Sequence, residues 1–295
     1  MNTKSINNFI FYFIVLNFIN FYSFASNELS MCGPTTLEEI SPMKDYELAE
    51  TPHAHGVRYT INDEPVRRGD VAERFEVRDG DCGGRDCGAP RYRSEIMLKC
   101  NKTQARIEED IWYGWSFYNE SIPKFKDEVN LMPTIGQWKM HGDAAPMIKI
   151  YYQGYKKTFE VQLTDLSFSN NWGKEEGYGD ICTLFSHFAS KKRWVDIVMN
   201  TNFSTNSDGY LKIWVNNELR CDYQGPILVD TNKRQFPGPN HRRGIFVSYT
   251  KRWDSVQPDL EKPTMIAYYD EFLIGKSRDE VDTKFREDNN LPAKD

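Results

Sequence analysis

The chain has 295 residues, and its 43 acidic side chains outnumber 37 Lys and Arg, giving a formal net charge of -6. Because the chain is net acidic and has no long basic run, nucleic-acid binding is excluded as its main task. Hydrophobic residues make up 39% and charged residues 27% of the chain. This balance excludes a multi-span membrane protein and a disordered chain. The length allows one large β domain or two small ones.

The first 25 residues have the features of a secretion signal. Lys4 gives a weak positive start, an apolar run covers residues 9–24, and Ser23 and Ala25 form a small-x-small cleavage site. We expect cleavage after Ala25, with an uncleaved anchor as the alternative. Residues 26–295 contain no internal repeat and no Pro/Gly-rich boundary, so they are predicted to form a single domain that is secreted or periplasmic.

All six cysteines lie after the predicted cleavage site, and an oxidising compartment favours three disulfides. They are Cys32, Cys82, Cys87, Cys100, Cys182 and Cys221. The first close pair, Cys82 and Cys87, is spaced to close a short loop. A zinc site is the rival interpretation, but the spacing is not C-x-x-C and no histidine lies nearby. Asp79, Asp81 and Asp86 give this loop either a structural calcium site or ordinary turn chemistry.

Short alternating runs, separated by turn residues about every ten positions, follow from Arg58 onward and predict an all-β sandwich. In the clearest segment, Asn216 and Asn217 separate two strands, because asparagine tolerates the positive φ of a tight hairpin turn. The tail from Lys276 is predicted to form a short helix and then fray. A short helix is also predicted at 36–40. The other predicted strands are 74–78, 107–117, 147–152, 159–163, 194–200 and 265–274.

Two strands carry more polar residues on one face than folding requires. Because side chains alternate along a strand, Gln137, Lys139 and His141 share one face, and Trp138 points into the core. The same rule places Arg91, Arg93 and Glu95 together on an upstream strand. A solvated sheet face is the alternative explanation for each strand.

Those side chains match the needs of one reaction, the β-elimination of a uronic-acid polysaccharide. Removal of the proton at C5 creates a carbanion that is tolerable only if Arg, Gln, Asn or protonated His neutralises the adjacent carboxylate. A His or Tyr takes the proton, and an acid, often Tyr, donates to the departing glycosidic oxygen. This chemistry requires no metal, so no cofactor is predicted apart from the structural calcium.

At this point the order of the motifs resembles the concanavalin-like jelly-roll polysaccharide lyases. The closest resemblance is to the heparin lyase-like family and its alginate and glucuronan lyase relatives. Arg93-Ser94-Glu95 resembles their R-S/T-E strand, Gln137-Trp138 their Q-x-H strand, and Arg243-Gly244-Ile245-Phe246 their K-x-G-x-Y strand. The resemblance implies an all-β, concanavalin A-like jelly-roll sandwich of two antiparallel sheets with few short helices.

The resemblance also implies roles for individual residues. Arg93 and Gln137 would hold and neutralise the carboxylate, and His141 would act as base because Lys139 stands at the family histidine. Phe246 replaces the family tyrosine, so the acid would be Tyr249 or a tyrosine of the C-terminal strand. The predicted substrate-binding residues are Arg91, Lys139, Arg243, Tyr113, Trp253 and Tyr269.

The sequence therefore predicts a secreted, monomeric lyase whose partner is an anionic polysaccharide, with no nucleic acid and no stable membrane partner. A non-catalytic glycan-binding module on the same sandwich is the main alternative. A retaining glycoside hydrolase is a weaker one, because it needs two carboxylates about 5 Å apart from an E-x-D-x-x-E strand. The nearest run, at residues 108–112, lacks that pattern.

Overall fold

A computed structural model describes residues 43–51, 53–88, 91–103, 105–140, 145–166, 179–229 and 238–295. Fourteen strands are assigned in this part of the chain. They are β1 Tyr46–Leu48, β2 Val57–Tyr59, β3 Glu73–Val77, β4 Tyr92–Leu98, β5 Ile111–Asn119, β6 Thr134–Lys139, β7 Ile148–Gln153, β8 Thr158–Gln162, β9 Asp180–Ser186, β10 Trp194–Thr201, β11 Tyr210–Val215, β12 Glu218–Gln224, β13 Asn240–Val247 and β14 Met265–Gly275.

Short helices connect or follow these strands. The α-helices whose two ends both lie among the described residues are α1 His187–Ser190, α2 Thr250–Val256, α3 Arg278–Val281 and α4 Thr283–Asp288, and single 3-10 turns occupy Gly84–Gly88, Cys100–Lys102 and Asp127–Val129. No helix among the described residues is long and apolar enough to cross a membrane. The predicted signal segment and the predicted helix at 36–40 lie outside the described residues.

The strands form two antiparallel sheets of seven strands each. The first sheet has the order β1-β4-β13-β6-β7-β8-β9, and the second has the order β12-β11-β10-β5-β14-β3-β2. The predicted all-β sandwich with few short helices is therefore confirmed. The hairpin between β11 and β12 is also confirmed, because Asn216 and Asn217 have φ angles of 48° and 67°.

Alternation along the strands builds the core between the two sheets. In β5, Tyr113, Trp115 and Phe117 are buried in the core cluster, and Trp138 of β6 packs against the first two. Residues at the alternate positions of each strand face away from the partner sheet. Each sheet therefore has an inner face in the core and an outer face directed away from the other sheet.

The C-terminal segment contains the predicted helical structure, in α3 and α4, but it packs against the outer face of the second sheet and Lys294 donates to Glu271, so the prediction that it frays is wrong. Val281 of α3 is fully buried and contacts Val198 and Leu273. Gly114 permits this approach, because a Cβ at that position would lie 1.9 Å from the carbonyl oxygen of Val281. The charged composition of the segment concealed this packing.

Disulfides link Cys82 to Cys87 and Cys182 to Cys221. The predicted short loop is therefore confirmed. Cys100 is also disulfide-bonded, and Cys32 lies outside the described residues. The second bridge joins β9 of the first sheet to β12 of the second, so it connects the two sheets covalently at one edge of the sandwich.

Candidate active site

A row of polar side chains crosses four strands on the outer face of the first sheet. We call it the polar strip and define it as Arg93 and Glu95 of β4, Arg242 of β13, Gln137 of β6 and Lys149 of β7. Arg242 is directly opposite Gln137, and Gln137 is directly opposite Lys149 in the next strand. Ile96, Trp138 and Ile148, which are sequence neighbours of strip residues, belong to the core cluster, so the alternation of each strand directs the strip to the opposite face. All strip residues except Lys149 are nevertheless largely buried.

Glu95 organises one end of the polar strip. Its carboxylate accepts hydrogen bonds from Gln137 and from Arg93, the latter at 3.0 Å. Arg93 also donates two hydrogen bonds to Asp86, which stands in the loop closed by Cys82 and Cys87. Burial disfavours the charge of Arg93, but Glu95 and Asp86 together raise its pKa. Arg93 is therefore fixed by two carboxylates.

Arg242 has much less compensation. Its nearest carboxylate, that of Glu95, lies 3.9 Å from Nη1. Among the described residues, its Nε is buried without a hydrogen-bond partner. Burial lowers the pKa of Arg242, and Arg93 adds to this effect while Glu95 opposes it. A guanidinium remains charged at any physiological pH, so Arg242 supplies a positive charge that an incoming anion can compensate.

Lys149 stands at the other end of the strip and is partly exposed. Burial lowers the pKa of its amine to about 8, although the Asp180 carboxylate opposes this change. The amine lies 4.3 Å from the ring centroid of Tyr151, whose hydroxyl donates to Asp180 at 2.8 Å. Burial raises the pKa of Tyr151 as well. Lys149 can thus lose its proton near neutral pH, whereas Tyr151 stays protonated.

The structure brings together two of the four residues predicted to be catalytic. Arg93 and Gln137 meet through Glu95, and Lys139 shares the outer face with Gln137, opposite Asn240. His141 lies outside the described residues. Tyr249 is exposed and precedes α2, after β13 has ended, with its ring 4.7 Å from the guanidinium of Arg252. No described contact joins it to the polar strip.

Three predicted substrate-binding residues lie between the two sheets, so those predictions are wrong. Arg243 forms an ion pair with Glu73 and is 1% exposed. Tyr113 is also buried, and the buried Tyr269 hydroxyl donates to the carbonyl oxygens of Ile135 and Gly244. Burial raises the pKa of both tyrosines, that of Tyr269 to well above its ordinary value. The alternation of the strands directs all three side chains inward.

The two remaining predicted binding residues lie elsewhere. Arg91 is exposed just before β4, 4.0 Å from the carboxylate of Asp86, so it flanks the Arg93 end of the strip. Trp253 belongs to α2, donates to the carbonyl oxygen of Leu260 at 2.7 Å and packs partly against the core. Trp253 thus has a structural role at the end of the sandwich.

The aspartates of the disulfide loop do not converge on a metal site. Among the described residues, no group of three or more His, Cys, Asp and Glu side chains is arranged to hold a metal ion. Each aspartate has its own partner instead: Asp79 contacts Lys262, Asp81 contacts His55 and Asp86 contacts Arg93.

Sequence reasoning missed Arg242 and Lys149. The signal for Arg242 was the spacing of the K-x-G-x-Y motif, because counting back from Gly244 reaches residue 242 and not residue 243. The signal for Lys149 was a charged residue between Ile148 and Ile150, which are both buried. Only the pairing of β6 with β7 shows that this lysine stands beside Gln137.

Comparison with known proteins identifies the family. The chain is similar in structure to an endo-β-1,4-glucuronan lyase from the fungus Trichoderma reesei, with a TM-score of 0.56 and 14% identity over 84% of this chain and 98% of that one. An alginate lyase from Pseudomonas aeruginosa aligns with a TM-score of 0.44 and 18% identity over 70% and 83%. No curated protein matches the chain.

The likeness to the glucuronan lyase shows that the fold is the predicted jelly-roll sandwich. The family model described as polysaccharide lyase matches residues 39–273. This match includes every strand of both sheets except the last two residues of β14. The chain therefore belongs to the polysaccharide lyase family.

Proposed function

We propose that the protein cleaves a uronic-acid-containing polysaccharide by β-elimination at the polar strip. The observation that carries this proposal is the row formed by Arg242, Gln137 and Lys149, in register across three adjacent strands. It combines a cation with little compensation, an amide and an amine whose pKa is about 8. The strip can therefore hold a carboxylate and remove a proton next to it.

In this mechanism Arg242 pairs with the uronate carboxylate and neutralises its negative charge. This neutralisation lowers the pKa of the adjacent C5 proton, so that a base can remove it. Neutral Lys149 takes that proton, the C5–H electron pair forms the C4=C5 double bond, and the C4–O glycosidic bond breaks. The departing oxygen takes a proton from Tyr249, the acid suggested by the sequence, or from the Lys149 ammonium just formed. Arg93 and Glu95 hold Gln137 in place.

The finer assignments extend this proposal. Arg91 and Lys139 flank the strip with further positive charge and suit an anionic chain, including a sulfated one of the kind that the heparin lyase-like resemblance suggests. The disulfides agree with action outside the cytoplasm. We also propose that the protein acts as a monomer. The sequence suggested His141 as the base, whereas this proposal gives that role to Lys149.

The test is the ultraviolet absorbance of the unsaturated uronate that elimination produces, measured with glucuronan, alginate, heparin and chondroitin. We expect absorbance to rise on one of these polymers, and Arg242→Ala to reduce kcat by about 100-fold or more. Arg220→Ala, an exposed change on β12, is the matched control. His141→Ala tests whether His141, the base suggested by the sequence, takes the proton instead of Lys149.

A flat trace on all four polymers would refute uronate elimination. If the protein were nevertheless retained on an anionic-glycan column, the non-catalytic binding module would be the better account of the fold. Elimination that survives Arg242→Ala but not His141→Ala would move the reaction away from the row that we propose.

A further inference from the structure

A second candidate site lies on the outer face of the second sheet, on the side of the sandwich opposite the polar strip. It is a cleft of about 420 Å³, within the range of small-ligand pockets. We call it the tryptophan cleft. Its walls are Trp112, Asn200, Tyr210, Lys212, Trp214 and Gln224.

Strand register assembles this cleft from four neighbouring strands. Trp112 of β5 is opposite Asn200 of β10, which is opposite Lys212 of β11. Tyr210 and Gln224 form the next cross-strand pair. Since all five side chains stand on the outward positions of their strands, they form one continuous surface without any contribution from loops.

A single carboxylate fixes the orientation of three of these side chains. Asp110 accepts hydrogen bonds from Trp112 Nε1 at 3.1 Å, from Asn200 Nδ2 at 2.9 Å and from the Tyr210 hydroxyl. These bonds hold two aromatic rings and one amide in place before any ligand arrives. Such preorganisation lowers the entropy that binding must overcome.

The two tryptophan rings of the cleft do not belong to the main hydrophobic core. Trp112 and Trp214 stack with their centroids 5.6 Å apart and are only partly buried, over the small cluster formed by Val198, Leu273 and Val281. Large aromatic rings left partly exposed beside oriented polar groups are typical of a ligand site rather than of a bare sheet surface.

We propose that the tryptophan cleft binds pyranose units of a polysaccharide. The apolar face of a sugar ring packs on an indole, and its hydroxyl groups suit the Asn200 and Gln224 amides and the Lys212 ammonium. The cleft contains no residue of the polar strip, so it binds without cleaving. A polymer held there stays close to the enzyme between cleavage events.

The experiment is affinity electrophoresis through gels containing glucuronan, alginate or heparin, performed on the Arg242→Ala variant so that the polar strip is weakened. We expect Trp214→Ala to weaken retardation about tenfold. Lys212→Ala, which changes only a partly exposed polar side chain, is expected to weaken it severalfold. Trp194→Ala is the matched control, since this partly buried tryptophan of β10 packs on Tyr118 outside the cleft.

Equal retardation of the Trp214→Ala, Lys212→Ala and parent proteins would overturn the proposal, as would an equal loss in Trp194→Ala. Thermal unfolding identifies any variant that has lost its fold, and Lys212→Ala then decides the result. Because retardation is measured without turnover, the proposed elimination can fail while this binding succeeds, and the reverse outcome is equally visible.

Discussion

Replacing Lys149 by methionine is expected to abolish elimination and at the same time to stabilise the fold. Burial lowers the pKa of this amine from its ordinary value of 10.5 to about 8. Each pKa unit corresponds to ~1.4 kcal/mol, so holding the charge in the folded state costs about 3 kcal/mol at pH 7. Methionine has a similar length and no charge, so Lys149→Met removes that cost.

The sign of the effect depends on pH. Between about pH 8 and 10.5 the unfolded chain binds a proton at Lys149 that the folded chain has lost, so the stability of the natural protein rises across this window. The advantage of Lys149→Met is therefore complete below pH 8 and disappears above 10.5. The figure of about 3 kcal/mol is the net effect of burial and of the favourable interaction with Asp180, because both contribute to the pKa of Lys149.

The assays are urea unfolding with the disulfides intact and initial rates of uronate formation across pH. About one Lys149 side chain in ten is neutral at pH 7 and half are neutral at pH 8, so kcat/KM of the natural protein should rise with pH over this range. Lys149→Arg is the matched control, because it keeps the charge and should be inactive without gaining stability. Lys192→Met controls for loss of an exposed lysine.

Two results would refute this reasoning. A Lys149→Met protein that still eliminates at the natural rate would show that the amine is not the base. A variant that is less stable than the natural protein at pH 7 would show that burial does not disfavour this charge.

Three further changes test the framework around the site. Gly114→Ala should destabilise the fold by about 1–3 kcal/mol in urea unfolding, because the new methyl group displaces α3; an unchanged midpoint would contradict the close contact with the Val281 carbonyl. Arg243→Met should destabilise the fold by about 3–5 kcal/mol, because the Glu73 carboxylate is left buried and unpaired. Adding Glu73→Gln should restore much of the lost stability, and a double variant without any recovery would argue against the ion pair. Asp86→Ala should lower kcat/KM about tenfold by releasing Arg93, with little change in the pH profile, and a rate equal to that of the natural protein would show that Arg93 needs no such support.

Much of the fold follows from local pattern. Alternation and turn residues predicted β5, the hairpin at Asn216 and Asn217, and β14 to within a few residues, because one face of each strand must be buried. A short helix was predicted in the C-terminal tail, but the packing of the two helices found there was not. Their packing depends on Gly114, which is far away in sequence, and a charged stretch gives no local sign of a buried contact.

The candidate site could be predicted only in part. Arg93 and Gln137 followed from motif and alternation, but the choice between Arg242 and Arg243 depends on which of two adjacent arginines points outward. The strand register decides this choice, because it places Arg242 opposite Gln137. Gly244, two residues further along β13, has a φ of 127° that residues with a side chain rarely adopt. Lys149 needed the pairing of β6 with β7, a long-range contact that single-strand reasoning does not contain.

The ion pair between Arg243 and Glu73 joins β13 of the first sheet to β3 of the second inside the core. Either residue alone is a buried charge that the fold tolerates poorly, whereas the two together, or two apolar residues together, are acceptable. During evolution, residues 73 and 243 could therefore be replaced only if both changed at nearly the same time. Related chains should carry either both charges or neither, so the residue at one position would forecast the residue at the other.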